Sequence, residues 1–258
     1  MLIDTHAHLD GPKFDHDRDA MLDRAKQAGV DTVINVGFDM PSCFRSIALA
    51  ETYSSIYAAV GIHPHDAQTA TEAVYLQIEQ WAKHPKVVAL GEIGLDYYRD
   101  LSPRDIQQQV FRRQLVLART TQKPIIIHNR DAHGDIMSIL CEEYRDIPGG
   151  VFHCYSGSVE MARQIISMGM YISLAGPITF SNSRRLWEVA AEIPLEWLLV
   201  ETDAPYLTPE PYRGQRNEAG YVRYVAEKVA ELQGKTLEEV AKVTSENARR
   251  LFRLPPTP

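Results

Sequence analysis

The chain is poor in the features that would mark a membrane, secreted or polyanion-coating protein. Cysteine occurs three times, at Cys43, Cys141 and Cys154. The number is odd and the spacing matches neither a zinc finger nor a disulfide framework, so a reducing compartment is expected. No apolar run approaches the roughly 20 residues that span a bilayer. The first residues carry Asp4, His6 and His8 rather than a basic start and an apolar stretch, so no secretory leader is expected. Cytoplasmic residence, no membrane association and no obligatory protein partner are the resulting expectations. Basic charge is not in excess: 27 Lys+Arg stand against 34 Asp+Glu, for a net charge of -7. That argues against coating of nucleic acid by a basic patch. It leaves room for an enzyme acting on phosphates, because bound divalent cations add positive charge that the formal count omits.

What is present is an ordinary globular composition, 45% hydrophobic and 24% charged, arranged as apolar runs alternating with amphipathic stretches. Eight runs read as strands: LIDTHAH, DTVINVG, IYAAVGIH, VVALGEIG, PIIIHNR, GGVFHCY, MYISLAG and WLLVETDA. Segments of helical spacing separate them, among them RDAMLDRAKQAG and IQQQVFRRQLVLART. Gly29 and Gly169 stop the helices before the second and seventh strands. Runs rich in Val, Ile and Leu suit parallel strands covered by helices on both sides. Eight β-then-α units point to an α/β fold of the (β/α)8 TIM-barrel class, and the absence of a glycine-rich fingerprint after the first strand argues against a doubly wound sheet. Two helical segments follow the last strand; the second is expected as an additional C-terminal helix. The expectation is one domain over residues 1–258, with residues 255–258 a flexible tail.

The polar residues that look misplaced in these runs fall at the strands' C-terminal ends. They are His6 and His8, His63 and His65, Glu92, His128, His153, and Glu201 with Asp203. Six of the nine histidines are in this set, too many for random placement. In a barrel those ends share the rim where active sites form. Singly, each has a structural explanation: a core histidine bonded to a carbonyl, an acid paired with a helix arginine, a turn cap. Jointly, they would require several buried polar groups to converge without a partner charge, which is costly. Metal binding accounts for all of them.

His6, His8, Glu92, His128, His153 and Asp203 exceed what one tetrahedral ion takes, so two divalent ions sharing a carboxylate are expected. His6, His8, Glu92 and Asp203 would hold one, and Glu92, His128 and His153 the other. The mixed nitrogen and oxygen donors admit Zn, Mn or Mg. Such ions activate water and offset charge that develops during attack. Asp203 is the candidate general base, and Glu201, one step deeper, would orient a ligand from behind. Asp4 lies deeper still on the first strand and is expected to be structural or to support a ligand. Two readings stay open for His63 and His65: contact with the leaving group or substrate oxygens, or a rigid loop ordered by Pro64.

In order, IDTHAHLD, GIHPHDA, GEIGLDYY, IIIHNRDA, GVFHCYSGS, ISLAGPITF, LLVETDAPYLTP and RGQRNEAG resemble the TatD family of metal-dependent hydrolases, within the amidohydrolase superfamily. The resemblance covers nearly the whole chain. It implies a (β/α)8 barrel, a two-metal site at the six residues above, and deoxyribonuclease activity in several members. Relatives that bridge their metals through a carbamylated lysine would need lysine where Glu92 stands; Lys123 is at the start of the fifth strand, on the other rim. Arg130, Arg213 and Arg216 are candidates for holding phosphate oxygens, or else pair with surface acids. Tyr97, Tyr98 and Tyr155 are candidates for stacking on bases, or else fill space. The leading expectation is hydrolysis of phosphodiesters in DNA. Alternatives are hydrolysis of an ester or amide, such as aminoacyl-tRNA or a small lactam, and, last, a non-catalytic metal-binding scaffold.

Overall fold

The computed structural model describes residues 1–255; of the expected tail, residues 256–258 lie outside the described part. Eight strands form one sheet in chain order: β1 (Leu2–Ala7), β2 (Val30–Val36), β3 (Ile56–Val60), β4 (Val87–Asp96), β5 (Ile125–Arg130), β6 (Gly150–Phe152), β7 (Tyr171–Leu174) and β8 (Leu198–Val200). Pairings are parallel, and a bridge joins Ala7 to Ala204 just beyond β8. Helices follow the strands: α1 (Arg18–Gln27), α2 (Met40–Thr52), α3 (Glu72–Ala82), α4 (Arg104–Thr121), α5 (His133–Glu143), α6 (Val159–Ser167), α7 (Arg184–Glu192) and α8 (Val222–Gln233). This is the (β/α)8 topology, and it carries the expected additional helix, α9 (Leu237–Phe252).

The chain forms two compact units. One comprises residues 1–35 and 153 onward, and the other residues 36–152. In the second, α2 opens on a capping box in which the Asp39 carboxylate accepts the Ser42 N–H, satisfying a donor that has no helical partner. Strands β3 and β4 are buried along almost their whole length, leaving only Tyr57 partly exposed, as apolar runs covered on both faces must be. Gly94 allows β4 and β5 to approach closely. It has φ of 144°, pairs with His128, and a Cβ there would collide with the His128 carbonyl oxygen.

In the first unit, Gly29 (φ 89°) and Gly169 (φ 81°) each follow the last capping residue of a helix, α1 and α6 respectively. These are left-handed positions, where glycine stops a helix cheaply. α9 begins on a Thr236–Glu239 capping box. It buries Val240, Ala248, Leu251 and Phe252, while Asn247 Nδ2 donates to the carbonyls of Leu195 and Leu198 at 2.9 Å each. Arg249 reaches Asp31 at 3.0 Å.

Several strands are shorter than their apolar runs. His8, His63, His153, Glu201 and Asp203 stand just past the last paired residue rather than within a strand. The cause is local backbone geometry. Cys154 (φ 42°) and Asp203 (φ 56°) are left-handed, which no L-residue adopts in a ladder, and Pro64 starts a 3-10 turn over Pro64–Thr69.

Candidate metal centre

The first unit brings His6, His8 and Asp203 together. Residues two apart on a strand share a face, and the two imidazole Nε2 atoms lie 3.2 Å apart. Asp203 Oδ1 is 3.4 Å from His8 Nε2 and 3.8 Å from His6 Nε2. Three donors bound to one ion at about 2.1 Å would be about 3.0–3.4 Å apart in octahedral or tetrahedral arrangement. The donor set fits a divalent cation with shifts of a few tenths of an ångström.

Backbone contacts fix this corner. The Asp203 N–H donates to the His6 carbonyl at 2.9 Å, and the His8 N–H to the Ala204 carbonyl at 2.7 Å. Asp4 accepts from the Thr202 N–H at 2.9 Å and the Thr202 hydroxyl at 2.6 Å. It therefore sews the start of β1 to the segment carrying Asp203. Burial pushes the Asp4 carboxyl up to about 8, against the hydrogen bonds from Thr202. Burial also pushes Asp203 up, but the hydrogen bond with His8 and the nearby histidines outweigh it and hold that carboxyl below its ordinary value.

His153 stacks on His6, with ring centroids 3.9 Å apart and planes at 17°. Glu201 stands behind it. One Glu201 oxygen accepts the Cys154 N–H at 2.6 Å and faces His153 Nδ1 at 3.1 Å; the other accepts the Ser173 hydroxyl at 2.5 Å. Donors already surround that carboxylate, and hydrogen on His153 Nδ1 would leave the lone pair on Nε2.

The second unit gathers Glu92, His128 and His63. Glu92 Oε1 is 2.6 Å from His128 Nδ1 and 3.5 Å from His63 Nε2. Asp96 faces His128 Nε2 at 3.0 Å and His65 Nε2 at 2.9 Å with the same oxygen. Its other oxygen accepts the N–H groups of Tyr98 and Arg99. Burial pushes the Asp96 carboxyl up, yet the bonds from His128, His65 and Arg99 prevail and hold it well below the usual carboxylate range. Carboxylates thus face both ring nitrogens of His128, Glu92 at Nδ1 and Asp96 at Nε2.

His63 is different. Its Nδ1 accepts the His65 N–H at 3.1 Å, so in the neutral ring hydrogen sits on Nε2. Burial, then the charge of His128, lowers its pKa to about 4, which keeps the ring neutral near pH 7. His63 Nε2 is therefore a donor with Glu92 Oε1 3.5 Å away, and Glu92 and His128 are the members of this cluster that could hold a cation.

Arg130 lies 4.0 Å over the Tyr98 ring, and Arg213 lies 4.2 Å over Phe180, near Glu210. Arg216 forms two 2.7 Å bonds to Asp17. Tyr97 donates to Asp135 and Tyr155 to the Ser158 carbonyl. Asp96 does not stand out in the sequence as a strand-end residue. The signal that could have found it is period two on β4, where Glu92, Gly94 and Asp96 alternate onto one face.

The model of the TatD-related DNase family matches residues 3–253. The chain belongs to that family. It is thereby a member of a family of metal-dependent hydrolases, consistent with the donor clusters described above. It is 51% identical over 254 residues to a Bacillus subtilis protein named as an uncharacterized metal-dependent hydrolase, YabD, covering 98% of this chain and 100% of that one. A Cronobacter turicensis protein named 3'-5' ssDNA/RNA exonuclease TatD is 35% identical over 259 residues, with 97% of each chain covered. The crystal structure of YJJV, a TatD homologue from Escherichia coli K12, superposes with a TM-score of 0.92 at 36% identity, covering 98% of both chains. Among the described residues no helix is long and apolar enough to cross a membrane.

Proposed function

We propose that this TatD-family protein is a deoxyribonuclease that uses two divalent ions, Zn, Mn or Mg, to hydrolyse phosphodiesters at the 3' ends of single-stranded DNA. The observation that carries it is the His6, His8 and Asp203 donor triangle, whose 3.2–3.8 Å edges suit one cation. Glu92 and His128 are the donors for a second. His153, oriented by Glu201, supplies a further imidazole nitrogen. The Cronobacter relative's name supports the choice of nucleic acid and of polarity.

Bound divalent ions would acidify water and neutralise phosphate charge. The chain's own groups do the rest. Asp203 is held ionised by its histidine neighbours and takes the proton of the attacking water as the phosphorus–oxygen bond breaks. The His63 Nε2–H is a hydrogen-bond donor, and His65 and His128 are kept in place by Asp96. Asp4, Glu201 and Asp96 hold the reacting groups in register without contacting substrate.

The test is an assay of chelator-stripped protein on a labelled single-stranded DNA oligonucleotide, with Mn, Mg or Zn returned separately. Stepwise shortening from the 3' end only after metal addition is the expected result. Intact DNA under every metal, with hydrolysis of an aminoacyl-tRNA or a simple carboxylic ester instead, would reject the nuclease reading.

A further inference from the structure

We propose that Tyr206 and Lys13 form a nucleotide subsite beside the metal centre, with a nucleobase stacking on the Tyr206 ring and the adjoining phosphate held by the Lys13 ammonium. The inference rests on the nuclease reading above and assigns its first base contact.

Tyr206 is 52% exposed, yet it is fixed in place. Its N–H donates to the Asp203 carbonyl at 2.9 Å, and its own carbonyl accepts from Asn217 Nδ2 at 2.6 Å. The same Asn217 amide donates to the Thr202 carbonyl at 2.9 Å, so the turn carrying Tyr206 moves as one piece with Asp203. The Tyr206 ring meets the His8 imidazole edge to face, with centroids 6.2 Å apart. A half-exposed tyrosine is ordinary by itself. A rigid one in contact with a candidate metal ligand is a platform for the group attached to whatever phosphate the metals hold, because every nucleobase has a face that stacks on an aromatic ring.

Lys13 supplies the charge. Its ammonium lies 5.2 Å from the Tyr206 centroid, and among the described residues no carboxylate comes within ion-pair distance of it. Its backbone is held by a residue that the sequence offered as a phosphate ligand: Arg216 donates to the Lys13 carbonyl at 2.7 Å while gripping both oxygens of Asp17 and lying 4.5 Å over the Phe14 ring. With Arg216 so committed, Lys13 is the cation this corner presents to solvent. Arg216 acts through it, by fixing the Pro12–Phe14 turn.

The experiment measures KM and kcat of the metal-loaded protein on a single-stranded oligonucleotide and on the same strand with abasic residues at its two 3'-terminal positions. For wild type the abasic strand should have a KM about 10- to 100-fold higher. Tyr206→Ala and Tyr206→Leu, the latter keeping bulk without a ring, should raise KM on the intact strand by a similar factor and bring the ratio between the two strands close to one. Tyr206→Trp should retain wild-type discrimination. Lys13→Gln should lower the slope of log KM against log salt by about 0.7. Wild-type KM values that do not distinguish the two strands, or Tyr206 variants whose KM on intact DNA stays within about twofold of wild type, would overturn this subsite while leaving the nuclease intact. Absence of DNA hydrolysis by wild type under every metal would remove both.

Discussion

One oxygen of Asp96 faces His128 Nε2 at 3.0 Å and His65 Nε2 at 2.9 Å, so a single buried carboxylate sets the orientation of both rings. The neutral amide of Asp96→Asn keeps an acceptor for the Tyr98 and Arg99 N–H groups but removes the charge. Metal affinity at the Glu92–His128 pair should fall about 10- to 100-fold. Calorimetric titration of chelator-stripped protein should show one ion weakened and the other retained; equal weakening of both, or of neither, contradicts this role.

Asp203→Asn should lower kcat on single-stranded DNA by about 10²- to 10⁴-fold, the range of a lost general base. Circular dichroism should stay native, because the Asp203 N–H bond to the His6 carbonyl is main-chain and survives the change. A kcat within about tenfold of wild type in saturating metal would assign the proton to another group.

Asp17 accepts from Arg216 and Arg24. The hydrogen bond from Arg216 is the largest influence and, with Arg24, holds the carboxyl well below the ordinary carboxylate value although burial opposes it. A group whose folded pKa is depressed contributes stability that is complete above its unfolded value, near 3.8, and is lost as pH falls through the folded one. Urea denaturation from about pH 6 down to about pH 2 should therefore show wild type losing more stability below about pH 4 than Asp17→Asn does. The difference at neutral pH should be about 1 kcal/mol, since the pair is partly exposed. Parallel curves for the two proteins would show that the pair contributes nothing.

Asn247→Ala should destabilise the fold by about 2–4 kcal/mol, because it strips the buried carbonyls of Leu195 and Leu198 of their donor. The measurement is the urea midpoint at constant slope. A loss under about 0.5 kcal/mol would mean that water replaces the amide.

The alternation of apolar runs with helical spacing determined the (β/α)8 order and the additional helix, since both periods arise from neighbours along the chain. It also picked out His6, His8, Glu92, His128, His153 and Asp203, because a polar residue that interrupts or closes an apolar run is visible without knowing its partner; Glu92, expected to end the fourth strand, stands inside β4, which runs on to Asp96. What the runs could not show is where pairing stops. Left-handed backbone at Cys154 and Asp203 shortens β6 and β8 and moves the functional groups into the turns beyond. Tertiary structure alone decided the partners. Arg216 meets Asp17 from 199 residues away, Asp4 meets Thr202 from 198, and the tautomer of His63 follows from one main-chain N–H. Such choices depend on which segments the fold brings within about 3 Å, and no local pattern records that distance.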